Sequence, residues 1–257
     1  MLETLFYNLP EKMRKLLLLI IAFWVTIYAA KGQNMESIKG NHSGVVQKEV
    51  QIQYLVSLPE AYDEKSREVW PLLVFLHGSG ERGDNLDLVK VHGPLKHVDQ
   101  GQNFNFIILA PQCPVNEDFD SETLFSLISQ IAEMYKVDKD RIYVTGLSMG
   151  GAATWDLAML HPEYFAAIAP VCGYVNRNYP FKAEALKNLP VWVFHGANDD
   201  VVPVHREANM VAALEYFGNK VKFSIYPTAN HDAWTETYKN PELYEWLLKQ
   251  RRASPGK

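Results

Sequence analysis

The stretch Thr145-Gly146-Leu147-Ser148-Met149-Gly150-Gly151 (TGLSMGG) follows directly on the apolar run Ile142-Tyr143-Val144 and precedes a segment, Ala152 to Leu160, with helical patterning. Three glycines crowd one serine at the corner between them. Gly146-x-Ser148-x-Gly150 is the G-x-S-x-G pattern of a strand-to-helix nucleophile elbow. In such a corner the serine takes a strained backbone conformation, so its hydroxyl stands clear of the sheet. The glycines two before and two after leave room where the strand and helix backbones nearly touch. The helix N-terminus that follows offers free N–H groups and the positive end of its dipole to a developing oxyanion. A plain glycine-rich turn carries the same residues; the strand before and the helix after favour the nucleophile.

Outward from this corner, apolar runs alternate with helical patterns. Val50 to Leu58 alternates and reads as an antiparallel strand. Leu72–Leu76, Phe106–Ala110, Ile142–Val144, Phe165–Ala169, Val191–Phe194 and Val221–Tyr226 are mostly apolar, as suits parallel strands buried on both faces. Glu122 to Tyr135 places Leu124, Leu127, Ile128 and Ile131 on one helical face. Helices are also expected at Val204 to Phe217 and at Pro241 to Arg251, the latter with proline at its start and basic residues at its end. Alternation of this kind predicts an α/β fold with a mainly parallel sheet and helices on both faces. No repeat, linker or boundary interrupts residues 44–252, so residues 34–257 read as a single domain.

The chain has 257 residues, with an apolar fraction of 47% and a charged fraction of 21%, enough for a large core without disulfide support. Its 25 basic and 30 acidic residues, net −5, are interspersed, and no basic stripe suggests nucleic-acid binding. The N-terminus departs from this pattern. Met13-Arg14-Lys15 precedes the fifteen uncharged residues Leu16 to Ala30, followed by the small residue Gly32. A basic start, a short apolar run and small residues form the layout of a secretory signal over residues 1–33, with Met13 as an alternative start and cleavage near Gly32 to Asn34. The run falls short of the roughly 20 residues of a membrane span, and an uncleaved anchor is the second reading. No cysteine follows the run, so lipid attachment there is excluded. Export would permit Cys113 and Cys172 to pair, but each follows an apolar run and reads as a small buried residue.

A serine needs a base, and the elbow architecture predicts the chain order serine, acid, histidine. Val191 to Pro203 (VWVFHGANDDVVP) ends a strand in a loop with two aspartates, and Tyr226 to His231 ends the last strand with a histidine. Each lies at the carboxyl end of a strand, where open α/β sheets build sites. Ser148, Asp199 and His231 are therefore the candidate catalytic set. The spacing G-x-x-D-x-x-V-P favours Asp199 over Asp200, and His205 reads as a helix-start residue. The second oxyanion donor should come from Phe75 to Gly83 (FLHGSGERG), which makes the backbone N–H groups of Ser79 and Met149 the candidate pair. In the same loop Glu81 and Arg82 would pair to stiffen it, with contact between Arg82 and an acidic substrate as the alternative. Trp234, three residues past His231, is the candidate substrate wall, whereas Trp192 lies inside a strand and reads as core. Tyr174, Asn176 and Tyr179 are further candidates.

FLHGSGERGDN, IYVTGLSMGG, HGANDDVVP and HDAWTETY together resemble the α/β-hydrolase superfamily. They are nearest the secreted esterases and "predicted peptidases" related to polyhydroxybutyrate depolymerases, feruloyl esterases and carboxylesterases. The resemblance covers roughly residues 45–250 and implies hydrolysis of a carboxylic ester through an acyl-serine, with no cofactor and no metal. Only the seventeen residues Gly173 to Leu189 stand where many relatives insert a lid, so an open site is expected. An open site on an exported protein suits a small-molecule or polymer-borne ester, such as acetyl or feruloyl groups on polysaccharide. Peptidase or acyltransferase activity, and a binding protein without chemistry, are the alternatives.

Overall fold

The computed structural model describes residues 9–30 and 48–252, together with residues 6, 41 and 44. The expected cleavage site at Gly32 to Asn34 lies outside the described residues. The chain divides into two units, Met1–Lys48 and Glu49–Lys257. In the first, Glu11–Ala30 forms a helix, α1. Among the described residues no helix is long and apolar enough to cross a membrane.

The second unit is built on seven strands: β1 (Gln53–Ser57), β2 (Trp70–Leu76), β3 (Ile107–Gln112), β4 (Val137–Leu147), β5 (Ala167–Val171), β6 (Trp192–Gly196) and β7 (Lys222–Tyr226). They lie in the order β1-β3-β2-β4-β5-β6-β7. β1 runs antiparallel to β3, and every other pairing is parallel. Six helices cover this sheet: α2 (Gly93–Asp99), α3 (Ser121–Met134), α4 (Met149–Leu160), α5 (His205–Tyr216), α6 (Trp234–Lys239) and α7 (Pro241–Leu248). The strand pleat divides the core in two. Leu72, Val74 and Leu76 face α3, α4 and α5 through Ile128, Trp155 and Met210. Leu73 and Phe75 face the other way, with Tyr238, Tyr244 and Leu247. Both faces of the central strands are thus apolar, which is why their sequences showed runs rather than alternation.

Local signals set the helix ends. Asp120 caps α3 by accepting from the Thr123 N–H at 2.9 Å, and Asn240 caps α7 by accepting from Glu242 N–H at 3.0 Å, with Pro241 in the first turn. Several expected boundaries move, and β4 starts earliest of all, at Val137 rather than Ile142. α4 begins at Met149 rather than Ala152, since contact with the sheet overrides the poor helix propensity of Gly150 and Gly151. β5 begins at Ala167, not Phe165, because the unbroken apolar run holds no mark of the ladder's start. α7 ends at Leu248, and Arg251 and Arg252 turn away to Asp138 and Asp140. α2 and α6 carried too few apolar residues to be expected.

Glycine at the elbow is a packing requirement. A Cβ on Gly150 would lie 2.0 Å from the Leu76 carbonyl oxygen, and one on Gly146 would lie 2.4 Å from the Gly150 oxygen. Neither obstacle is a side chain that could rotate away. Gly150→Ala is expected to cost about 3 kcal/mol or more, or to prevent accumulation of folded protein. Gly80→Ala, with nothing within 4 Å of its added carbon, should stay within about 0.5 kcal/mol. Urea denaturation of the two variants checks the contrast, and equal midpoints would refute it.

Candidate active site

Ser148 occupies the turn between β4 and α4 with φ 51° and ψ −112°, a left-handed conformation strained for a residue with a side chain. The strain is held from both sides. The Ser148 N–H donates to Val171 O at 2.9 Å, and its carbonyl accepts from Ala152 N–H at 3.0 Å. Its hydroxyl lies 2.9 Å from His231 Nε2. His231 Nδ1 lies 2.7 Å from Asp199 Oδ2, which fixes the tautomer: Nδ1 donates to the carboxylate and Nε2 is left to accept. Asp199 is buried, and its Oδ1 accepts from the N–H groups of Val201 at 3.0 Å and Val202 at 2.8 Å. Asp200 is exposed on the same turn. His205 is exposed at the start of α5.

Two separate loops carry the acid and the histidine, and backbone bonds zip them together. Ala197 N–H donates to Tyr226 O at 2.9 Å and Asn198 N–H to Ala229 O at 3.0 Å. Gly196 permits this: a Cβ there would stand 2.0 Å from Asn230 O, next to His231.

The loop after β2 faces the elbow across the site. His77 is buried, its Nδ1 2.6 Å from Gly78 O and its Nε2 accepting from Cys113 N–H at 3.0 Å. That pattern needs a neutral ring, and burial, aided by the nearby Arg82 charge and opposed by the Gly78 bond, holds its pKa at about 4. Glu81 accepts the Gly78 N–H at 2.9 Å, so that donor is already committed. Ser79 comes next, opening the turn Ser79–Glu81, and Met149 is the first residue of α4, whose N–H has no partner within the helix.

The expected Glu81–Arg82 pair does not form. Neighbouring residues on this turn point apart: Glu81 turns inward to Gly78, and Arg82 pairs with Asp118 ahead of α3. Arg82 Nε is buried with no hydrogen-bond partner. Trp234 stands edge-on to His231 with ring centroids 5.3 Å apart and also packs on His92. Trp192 lies in the core, its indole N–H donating to Ser224 Oγ at 2.9 Å. Between β5 and β6 the chain forms one short turn, Pro180–Leu186, and Tyr179 ties it to α4 by donating to Asp156 at 2.7 Å, whereas Tyr174 and Asn176 are exposed.

Cys113 and Cys172 are both buried and unpaired. The Cys172 sulfur, the Asp199 carboxylate and the His231 ring offer ligand atoms within 4.8 Å of one another. Burial raises the Cys172 thiol well above its usual range. Sequence reasoning passed over His195 and Glu207, both fully buried behind Asp199. A histidine on a core-facing strand position and a glutamate inside the expected α5 were the available signals.

The sequence model described as "Dienelactone hydrolase family" matches residues 40–245. The chain is 27% identical over 139 residues to a bifunctional acetylxylan esterase/xylanase of Neocallimastix patriciarum, which covers 51% of this chain and 20% of that protein. The crystal structure of a thermostable esterase superposes with a TM-score of 0.67 at 34% identity, over 79% of this chain and 60% of that one. A ferulic acid esterase does so with a TM-score of 0.60 at 20% identity, over 76% and 89%, a likeness of fold alone. The chain spans less than half the length of the first curated relatives it matches. The fold is that of α/β-hydrolases, as the sequence motifs led us to expect.

The geometry makes two predictions about stability. His77 stays neutral in the folded protein down to about pH 4, whereas the unfolded chain takes up the proton near pH 6.5. Its contribution is complete above the unfolded value and is lost as pH falls between the two, by up to about 3 kcal/mol. The stability gap between wild type and His77→Gln should narrow by that order from pH 7 to pH 4; a gap independent of pH would contradict it. Ser148→Gly removes the side chain that opposes a positive φ and should be roughly 1 kcal/mol more stable than Ser148→Ala in thermal unfolding.

Proposed function

The chain belongs to the dienelactone hydrolase family, and from that membership and the site's geometry we propose that it hydrolyses carboxylic esters through Ser148, His231 and Asp199. One observation carries the reading: an unbroken line of contacts, 2.9 Å from Ser148 Oγ to His231 and 2.7 Å from His231 to Asp199, at the mouth of an elbow. His231 Nε2 takes the hydroxyl proton as Ser148 Oγ bonds to the ester carbonyl carbon. Asp199 holds the ring and stabilises the imidazolium. The Ser79 and Met149 N–H groups take the oxyanion, an interaction whose loss typically costs about 10²–10³ in rate. Collapse of the tetrahedral centre breaks the ester C–O bond, and His231 returns the proton to the leaving alkoxide. Water then gives a proton to His231 as its oxygen bonds to the acyl carbon, the bond from that carbon to Ser148 Oγ breaks, and His231 returns the proton to Oγ as the acid leaves.

For the substrate, we favour an acyl group borne on a polysaccharide, acetyl or feruloyl. The acetylxylan esterase relative supports the class, and the Trp234 ring edge beside His231 offers an apolar wall for an acyl group. Only a short turn covers the β5–β6 connection, which suits a bulky alcohol moiety. The basic, apolar and small residues of positions 13–32 support export to where such polymers are found.

A fluorophosphonate probe should label wild type and not Ser148→Ala. Asp199→Asn should lose about 10³–10⁴ in kcat, the order expected when a triad acid is replaced, while Asp200→Asn stays near wild type. Turnover should be measured on p-nitrophenyl acetate and butyrate, a feruloyl ester and a peptide amide. Unchanged turnover in Ser148→Ala, or loss in Asp200→Asn alone, would overturn the assignment.

A further inference from the structure

Behind Asp199 lies a buried pair that the ester-hydrolysis mechanism does not use. His195 is the fourth residue of β6, and its pleat position faces α4 and α5 together with Val193. Its side chain has no exposure. Nδ1 lies 2.6 Å from Glu207 Oε2 on α5, while Nε2 lies 2.8 Å from Val202 O and 3.2 Å from Asp199 Oδ2. Glu207 is equally buried, and its Oε1 accepts from the Trp155 indole N–H at 3.0 Å, with the Gly173 N–H as a further donor.

We propose that His195 and Glu207 form a buried ion pair that positions Asp199, with the charged His195 ring fastened to Val202 O and lying 3.2 Å from the Oδ2 oxygen that His231 uses. This rests on the ester-hydrolase reading of the same site. A carbonyl can only accept, so Nε2 must carry a proton toward Val202. Burial raises the Glu207 pKa, but its bonds to His195, Trp155 and Gly173 oppose that shift, and these donors suit the ionised carboxylate. The ring therefore carries both protons. Burial opposes that charge, but the Glu207 bond and charge, the Val202 carbonyl and Asp199 outweigh it and raise the His195 pKa. Val202 closes a small ring of bonds: its N–H donates to Asp199 Oδ1, and its C=O accepts from His195. Asp199 Oδ1 is then held by the Val201 and Val202 N–H groups, and Oδ2 lies between His231 and the charged His195, so the carboxylate can rotate only by breaking buried contacts.

The titratable groups around His195 are Glu207 from α5, Asp199 and His231 from the two site loops, and Cys172 from the end of β5, whose thiol is neutral. A positive His195 tempers the field of Asp199 at His231. Without it the negative field at His231 strengthens, and more hydroxide is needed to free the base.

The test uses the full chain and an ester that wild type turns over. His195→Gln should lower kcat by about 10- to 100-fold with little change in KM, since the ring touches no substrate. The acid limb of its kcat/KM profile should move to higher pH by roughly half a unit or more. Glu207→Gln keeps the Nε2–H donor and should lose less. Folded His195→Gln with wild-type kcat and an unmoved acid limb would overturn the proposal. If that variant does not fold, ¹⁵N spectra of wild type decide: two protonated nitrogens on His195 at pH 7, assigned by connection to its own backbone signals, support the pair, and one protonated nitrogen refutes it. Those spectra do not depend on turnover, so an inactive wild type would remove the hydrolase reading without being mistaken for failure of the ion pair.

Discussion

Backbone meets backbone at the carboxyl edge of this sheet, and the site depends on that contact. Gly150 brings α4 against the Leu76 carbonyl, Gly151 brings the same helix against Val171 and Gly173, and Gly196 brings β6 against the loop of His231. At each point the distance that an added Cβ would have to share, 2.0 to 2.7 Å, is below any real carbon contact. The three approaches fix the serine, the oxyanion loop and the acid–histidine pair relative to one rigid sheet.

Environment then separates three histidines that share one side-chain chemistry. His77 touches a carbonyl on one nitrogen and an N–H on the other, so burial can hold it neutral, as a strut for the oxyanion loop. His195 touches acceptors on both nitrogens and faces a buried carboxylate, so its charge is favoured. His231, half-buried, faces a carboxylate with one nitrogen and a hydroxyl with the other, so one nitrogen donates while the other is left to accept. Partner type decides the outcome more than depth of burial, because a buried ring must match the donors and acceptors it meets.

Much of this was legible in the chain. Six of the seven strands showed as apolar runs, since the central ones are buried on both faces, the antiparallel first strand showed by its alternation, and TGLSMGG marked the elbow because only glycine tolerates such crowding. Asp199 stood out from Asp200 by its spacing to Gly196 and Pro203, a spacing that reflects the turn in which Asp199 Oδ1 takes the Val201 and Val202 N–H groups. The errors share a cause. Glu81 and Arg82 looked like a pair because they are adjacent, yet adjacent side chains diverge and each found a partner distant in sequence or on the opposite side of the turn. α2 and α6 went unseen because seven and six residues are too few to display a helical period.

Local chemistry is therefore what the sequence determined by itself: the succession of strands and longer helices, the elbow, the candidate acid and base, and the glycines that mark crowded ground. These follow from periodicity and from conformations that few residues allow. The tertiary structure alone decided which groups share a proton. His195 and Glu207 are twelve residues apart in the chain, on a strand and a helix whose facing sides become known only once the sheet is assembled. A histidine in an apolar run carries no mark of its charge, because that charge is set by acceptors that arrive from α5, from the Val202 turn and from Asp199.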